Sequence, residues 1–381
     1  MGSIRRLVIP AAFIWLAPLM GRTVPVLAQG MRDHVVRDEV ACGRCAVKAE
    51  TRLAFSSAKL EGEINEVPFA VRRDPHGNFW VLSQSSLPRS YSPTGKFTRT
   101  FGRSGPGPGE FSWAVEDLFW LPADSIMMVD GLNHRATVFA PDGRYVREIQ
   151  TPSQLVNGIV LNWPSRVLMS GHVASSSAAG LPLHFVSFAG SSVRFNRSFG
   201  PDKGKLRPSD RGTTYHFTGR APNGTIVTAR AERYRIYLWS DEGDLLSTIT
   251  RAATWFPDSG AGRVGTPDSP PTPAISAIDV DSTGLIWIYL RVAAPTWKRA
   301  WARVPLGARE VSNSQLDYPS LYNTRVEVVD PVSHTLVART ELNGLVISVF
   351  GNGRVAMFGA GLSGDATLRI DEVRLLRPQR R

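Results

Sequence analysis

FGRSGPGPGEF, residues 101–111, sets five glycines and prolines in a row (Gly105, Pro106, Gly107, Pro108, Gly109) between two phenylalanines. Such a stretch is a phosphate cradle, a flexible linker, or a joint between repeated units. A phosphate cradle needs a helix behind it, whose dipole and free N–H groups hold the anion. The chain continues instead as SWAVEDLFWLP, short, aromatic and ended by a turn, and Glu110 stands where G-x-G-x-x-G needs its last glycine. The choice narrows to linker or joint, and what recurs on either side decides it.

A tight turn feeding a short run of β-branched and aromatic residues recurs along the chain. Copies are DPHGNFWVL (74–82), LPADSIMMVD (121–130), APNGTIVTA (221–229), DSTGLIWIYL (281–290) and GNGRVAMFG (351–359), with NWPSRVLMSG (162–171) a looser one. A second turn follows about nineteen residues on in several copies, as YSPTGKFTRTFG (91–102), FAPDGRYVREI (139–149) and WSDEGDLLSTI (239–249), with VDPVSHTLVART (329–340) in the fifth. Pro or Asp before Gly suits hairpin turns. Helical periodicity is missing across nearly the whole chain. Each unit reads strand, turn, strand, longer loop, strand, turn, strand, which predicts an all-β protein, a six-bladed β-propeller of four-stranded antiparallel blades. The glycine-rich stretch is then the joint between two blades.

MVDGLNHRATVFAPDGRYVREI (128–149) resembles one NHL repeat, and 101–111 resembles the passage between neighbouring NHL blades. The likeness is good over 67–150 and decays afterwards. It implies that Asp130, Asn133, His134 and Arg135 chiefly fasten their own loop. The expected blades are about 67–102, 113–150, 156–200, 214–250, 275–342 and 343–376. The last holds only three strands. TRLAFSSA (51–58) is the candidate for its fourth, so that pairing of the two chain ends closes the ring within one domain, 51–381, and leaves no open seam.

Residues 1–28 read as a signal peptide: Arg5 and Arg6, an apolar run Leu7–Met20 broken by Pro10 and Pro18, then Val26-Leu27-Ala28 for cleavage. An uncleaved anchor is the rival reading, and the paired arginines raise twin-arginine export as a weaker one. The expected location is periplasmic or secreted, with no transmembrane segment after cleavage. Cleavage removes Arg5, Arg6 and Arg22 and no acid, lowering the net charge from +11 to +8. The positive charges are scattered, so no nucleic-acid partner is expected; an exported basic protein meets acidic polymers or membrane surfaces, or is simply well solvated. Residues 29–50 read as an N-terminal extension carrying the only cysteines, Cys42 and Cys45. Two cysteines cannot complete a zinc site, and Ala46 stands where haem attachment needs His. A local disulfide is the first reading in an oxidising compartment, with free thiols or a redox pair as alternatives.

In antiparallel blades, the loop between strands two and three shares a face with the crossover to the next blade. Long segments fall on that face: 101–113, 171–183, 200–215, 252–275 and 293–323. Long loops on one face of a rigid scaffold suggest a binding face. Its candidate binding residues are Trp297, Arg299, Trp301 and Arg303 in the fifth-blade insertion, with Asn133 and His134 in blade two. The indoles either contact a ligand or fold down as a plug. The expected partner is a protein, peptide or glycan, bound by a monomer without catalysis or cofactor. The alternative is a metal-dependent hydrolase or lyase of the gluconolactonase-like or streptogramin-lyase-like kind. Its channel mouth would be lined by Glu116, Asp117, Asn157, His216, Ser276 and Asn343, of which the acid pair and the two amides offer oxygen ligands for a divalent cation such as calcium. No G-x-S-x-G turn accompanies them.

Overall fold

The computed structural model describes residues 32–378, apart from 56–63, 65, 84–86, 112–114, 132, 152–153, 174–177, 179, 202–214, 258–261, 303, 305–315 and 361–365. The chain divides into two compact units, Met1–Gly30 and Met31–Arg381, and all the described residues belong to the second.

Strands follow one another in antiparallel groups of four. The first group is Ala70–Arg73, Phe79–Leu82, Arg89–Tyr91 and Phe97–Thr100; the second is Asp117–Trp120, Ile126–Asp130, Arg135–Phe139 and Tyr145–Gln150. The third is Gln154–Asn162, Arg166–His172, Leu183–Ala189 and Ser192–Phe199, joined to the second by one parallel pairing, Gln150 with Ser192, so that the two form an eight-stranded sheet. The fourth is His216–Arg220, Ile226–Arg230, Arg235–Trp239 and Leu245–Arg251, and the fifth is Ala274–Val280, Ile286–Ala293, Tyr322–Asp330 and Thr335–Leu342. The last runs Leu345–Val349, Arg354–Ala360 and Ala366–Leu376, with Ala46–Ala54 as its outer strand. Successive four-stranded sheets packed face to face make the fold a β-propeller.

The apolar residues explain that packing, because each cluster joins two groups. Trp80 and Phe101 pack with Phe111, Leu118 and Met128 between groups one and two; Phe119 and Val129 pack with Leu155 and Met169 between two and three. Phe185 and Phe199 meet Tyr237 and Trp239 between three and four. Val227 and Ile249 meet Ile288 and Val329, and Tyr289 and Val326 meet Val346 and Met357. Finally Val71, Phe79 and Tyr91 of the first group meet Phe358 and Ile370 of the last. Each fully buried side chain of this size contributes about 1.5–3 kcal/mol relative to exposure.

The glycine-rich stretch is a joint. Arg103–Ser104 and Glu110–Phe111 pair in parallel as a small separate sheet. The turn between them is tied down from group two: the Arg135 guanidinium donates to the Glu110 carbonyl at 2.6 Å and to the Pro106 carbonyl at 3.3 Å. Gly102 takes φ +82°, and a Cβ there would stand 2.6 Å from the Phe111 ring. Only glycine fits that corner.

The repeated turns owe their sequence to a shared fastener. Asp74 accepts Asn78 N–H at 2.7 Å and the Trp80 indole N–H at 3.3 Å. Asp281 accepts Leu285 N–H at 3.1 Å and the Trp287 indole N–H at 2.9 Å. The shared spacing, Asp then Trp six residues on, ties the turn to the strand it feeds.

The N-terminal segment differs from the expected extension. Arg32–Val36 adds a fifth, parallel strand beside Leu245–Arg251. Val40 then bridges to Leu336 in group five, and Ala41 N–H donates to the Leu336 carbonyl at 2.8 Å. A Cys42–Cys45 disulfide follows. The outer strand expected at 51–58 is Ala46–Ala54, and 56–58 lie outside the described residues. Its charged stretch looks like surface, yet pairs across to its neighbour: Arg52 with Glu372 at 2.8 Å, and the Thr51 hydroxyl donating to Asp371 at 2.8 Å.

Candidate functional site: the face of long connections

Within each group, strands one and two, and in the first five groups also strands three and four, are joined at the same end of the sheet. Those connections run from two residues (190–191) to five (74–78, 121–125, 281–285). The opposite end carries 101–116, 173–182, 200–215, 252–273 and 294–321. One face is thus uniformly short and the other variable.

On the long face, Trp297–Trp301 is a 3₁₀ turn. Lys298 and Arg299 are exposed, whereas Trp297 and Trp301 are half-buried. Both indoles pack against the cluster of Ala300, Leu316, Leu321, Tyr322 and Leu345, which reaches the first strand of the last group. Each indole is therefore packed on one side, and the cations beside them face solvent. Arg303 lies outside the described residues. Asn133 and His134 are exposed in the loop between the second and third strands of group two. The Asn133 amide donates to both Asp130 carboxylate oxygens at 2.9 and 2.8 Å, and its backbone N–H donates to the same group at 3.2 Å. His134 takes φ +53°.

The channel-mouth candidates separate by role. Asp117, wholly buried, accepts the Arg72 Nε–H at 2.8 Å and the Gly158 N–H at 3.2 Å. Its carboxylate joins the innermost strands of groups one, two and three, so it acts as a structural tie. Asn157 is the bulge residue of its strand, with φ +41°. Glu116 is half-buried against Gly131, and its charge reaches Tyr215, whose hydroxyl is raised first by burial and then by Glu116. His216 is 1% exposed, facing Arg230 in register. Ser276 donates to the Tyr289 carbonyl at 3.2 Å. Asn343 is exposed, and its carbonyl accepts from Arg369 at 2.6 Å. Among the described residues, no three or more His, Cys, Asp and Glu are grouped to hold a metal ion.

Sequence reasoning missed the polar and aromatic groups around the insertion. Arg291 lies with its guanidinium 5.5 Å from the Tyr322 ring centre and donates to the Gly262 carbonyl at 3.0 Å. Burial raises the Tyr322 hydroxyl, against the pull of Arg291, and pushes Tyr318 up to about 12. Arg325 stacks 4.2 Å over the Trp255 ring. Only the fold brings 262, 291 and 322 together, and 255 to 325, so no local motif marks them. On the first strand of group five, burial and the neighbouring Asp281 raise Asp279 to about 6.

No protein-family model matches the chain, and no curated protein sequence matches it. Among solved structures, it is similar to a member of the DUF4221 family from Bacteroides vulgatus ATCC 8482, with TM-score 0.58 and 10% identity over 88% of this chain and 99% of that one. It is also similar to a Bacteroides fragilis NCTC 9343 protein described as exported, with TM-score 0.52 and 10% identity over 91% and 100%. Virginiamycin B lyase from Staphylococcus aureus aligns with TM-score 0.44 and 8% identity over 86% and 99%, too distant to bear on chemistry. These likenesses speak to the fold alone. No helix among the described residues is long and apolar enough to cross a membrane.

Proposed function

We propose that this chain is an exported six-bladed propeller, closed by Ala46–Ala54, which binds a protein, peptide or glycan on its face of long connections. Support for closure comes from the hydrogen bond of Val71 N–H to Ser348 Oγ at 2.8 Å and from the apolar cluster shared by the first and last groups. The observation carrying the binding reading is the inequality of the two faces: uniformly short turns opposite connections of up to 28 residues (294–321). A stiff ring presenting loops of unequal length is a general recognition device. Export rests on the signal-like residues 1–28 and is in keeping with the exported relative of the same fold.

Lys298 and Arg299 are the substitutions to make, because they are exposed while the neighbouring indoles hold the fold. Lys298→Glu with Arg299→Glu is expected to lower binding to an immobilised glycan and peptide panel at least tenfold, with the melting temperature unchanged. Unchanged binding of every panel member that the parent captures would remove this insertion as the site. The hydrolase or lyase reading is separated by thermal unfolding with calcium, with zinc and with chelator. The binding reading expects no shift.

A further inference from the structure

The N-terminal strand is held to group five by an unusual contact. His34, on the added strand Arg32–Val36, stacks on His334 with ring centres 3.5 Å apart and planes 10° from parallel. His334 is fixed from its own side. It ends the turn 331–334 with φ +56°, and that turn is closed by Asp330, whose carboxylate accepts Val332 N–H at 2.8 Å and Ser333 N–H at 3.3 Å. A groove of about 310 Å³ lies between the arm, at Val35, Arg37, Glu39 and Ala41, and His334, Thr335 and Leu336 of group five. Further along, Asp38 meets Arg251 and Arg339, the latter at 2.8 Å.

We propose that the stacked imidazoles make the N-terminal arm a proton-sensitive strap, which lets go of group five when both rings are charged and bares the outer edges of Leu245–Arg251 and Thr335–Leu342. Two parallel rings at this spacing accommodate at most one imidazolium, because like charges in contact repel. The charged groups facing His334 are His34 from the arm, Asp330 from its own strand end, and Arg37 and Glu39 along the groove. Asp330 favours the charged ring, while burial and His34 oppose it more strongly, leaving the His334 value below the ordinary one. The sign follows. A histidine depressed in the folded state holds its full stabilising effect above its unfolded value, and loses it as pH falls toward the folded one. Asp38 is itself depressed, by Arg251 and Arg339 acting against burial, so it stays ionised at pH 5.0 and the acid response does not come from it.

Hydrogen exchange at pH 7.5 and 5.0, corrected for intrinsic rates, reads the strap directly. If one ring must stay neutral for the arm to stay down, acidification loosens residues 32–41 by at most about thirtyfold, taking an ordinary histidine value near 6.5. Residues 46–54 serve as the internal control and keep their protection. His34→Phe keeps a stack that cannot charge, and His334→Asn keeps a residue tolerant of the positive φ; the acid response is lost in both. Acid-independent protection of 32–41 in the parent, or an undiminished response in His34→Phe, overturns the proposal.

Discussion

Glu327 is the most heavily engaged carboxylate where the fourth and fifth groups meet, and removing it isolates a buried cation. Its side chain is wholly buried, and that of Arg251 is 1% exposed, with Nε–H donating at 2.8 Å and a terminal N–H at 3.2 Å. Tyr234 adds its hydroxyl at 2.6 Å, and burial with the adjacent charge raises that hydroxyl well above its ordinary value. Breaking a buried pair by deleting one partner costs about 3–5 kcal/mol, mostly the uncompensated charge left behind. Asp38 stays as a second acceptor for Arg251, but its side chain is 45% exposed and offsets little of that cost. Unfolding entropy near 2.1 cal/mol/K per residue makes 1 kcal/mol worth roughly 1.2 °C in a chain of this length, so Glu327→Ala lowers the melting temperature by about 4–6 °C. Far-UV circular dichroism through the transition measures it. Glu327→Leu with Arg251→Met replaces both charges by apolar groups and recovers most of the loss, since the isolated cation is gone. A single substitution costing under about 1 °C, or a double one costing more than the single, would refute the argument.

Gly102→Ala forces a side chain onto φ +82° and into the Phe111 ring, costing about 2–4 kcal/mol, whereas Gly107→Ala meets only the movable Glu110 carboxylate and costs under about 1 kcal/mol. Urea midpoints of the two variants make the comparison, and equal losses contradict the joint's geometry. Asp279 titrates in the folded protein at about 6 against an ordinary 3.8. Its raised value means that stability is lost as pH rises from about 4 to above 6, by at most roughly 3 kcal/mol. Asp279→Asn is therefore more stable than the parent at pH 8, by an advantage that shrinks toward pH 4. A difference independent of pH tells against the assignment.

Much of this fold was legible because its turns carry their own chemistry. DPHGNFW and DSTGLIW declare strand entries because the aspartate, the glycine at positive φ and the tryptophan all act within seven residues. The last strand, 366–376, was readable from its alternation, and its partner only approximately. Ala46–Ala54 is exposed at most positions, so hydrophobic contrast could not set its bounds, and register with Glu372 and Asp371 does. Residues 32–36 were harder still. Of the side chains described there, only Val36 is buried, and Arg251, more than two hundred residues away, donates from its guanidinium to the Val36 carbonyl at 3.4 Å. Asp117 read as a channel-mouth acid because sequence shows a carboxylate at a strand start and nothing of Arg72 beside it.

The two faces also differ in where their hydrogen bonds come from, which bears on how each tolerates change. On the short face, turns close on themselves: Asp74, Ser92, Asp142, Asn223, Ser240, Asp281 and Asp330 each accept a backbone N–H within four residues. The side-chain bond that closes such a turn is local, although Arg99 also donates to the Pro141 and Asp142 carbonyls, and Arg166 and Arg197 to those of Asp241 and Gly243, from the preceding group. The long face has local ties too, as Asp130 to Asn133, but its connections between groups are also held from a distance: Arg135 holds the 106–110 turn, Arg291 holds Gly262, and the Thr324 hydroxyl donates to the Gly344 carbonyl at 2.8 Å. Each reaches from the end of a strand to a connection that enters the next four-stranded group. Loop sequence between those ties is free to vary without disturbing the strands, while the ties keep the loop ends in place. A surface built this way changes what it presents at little cost to the sheets beneath, which is the property that recognition requires of a scaffold.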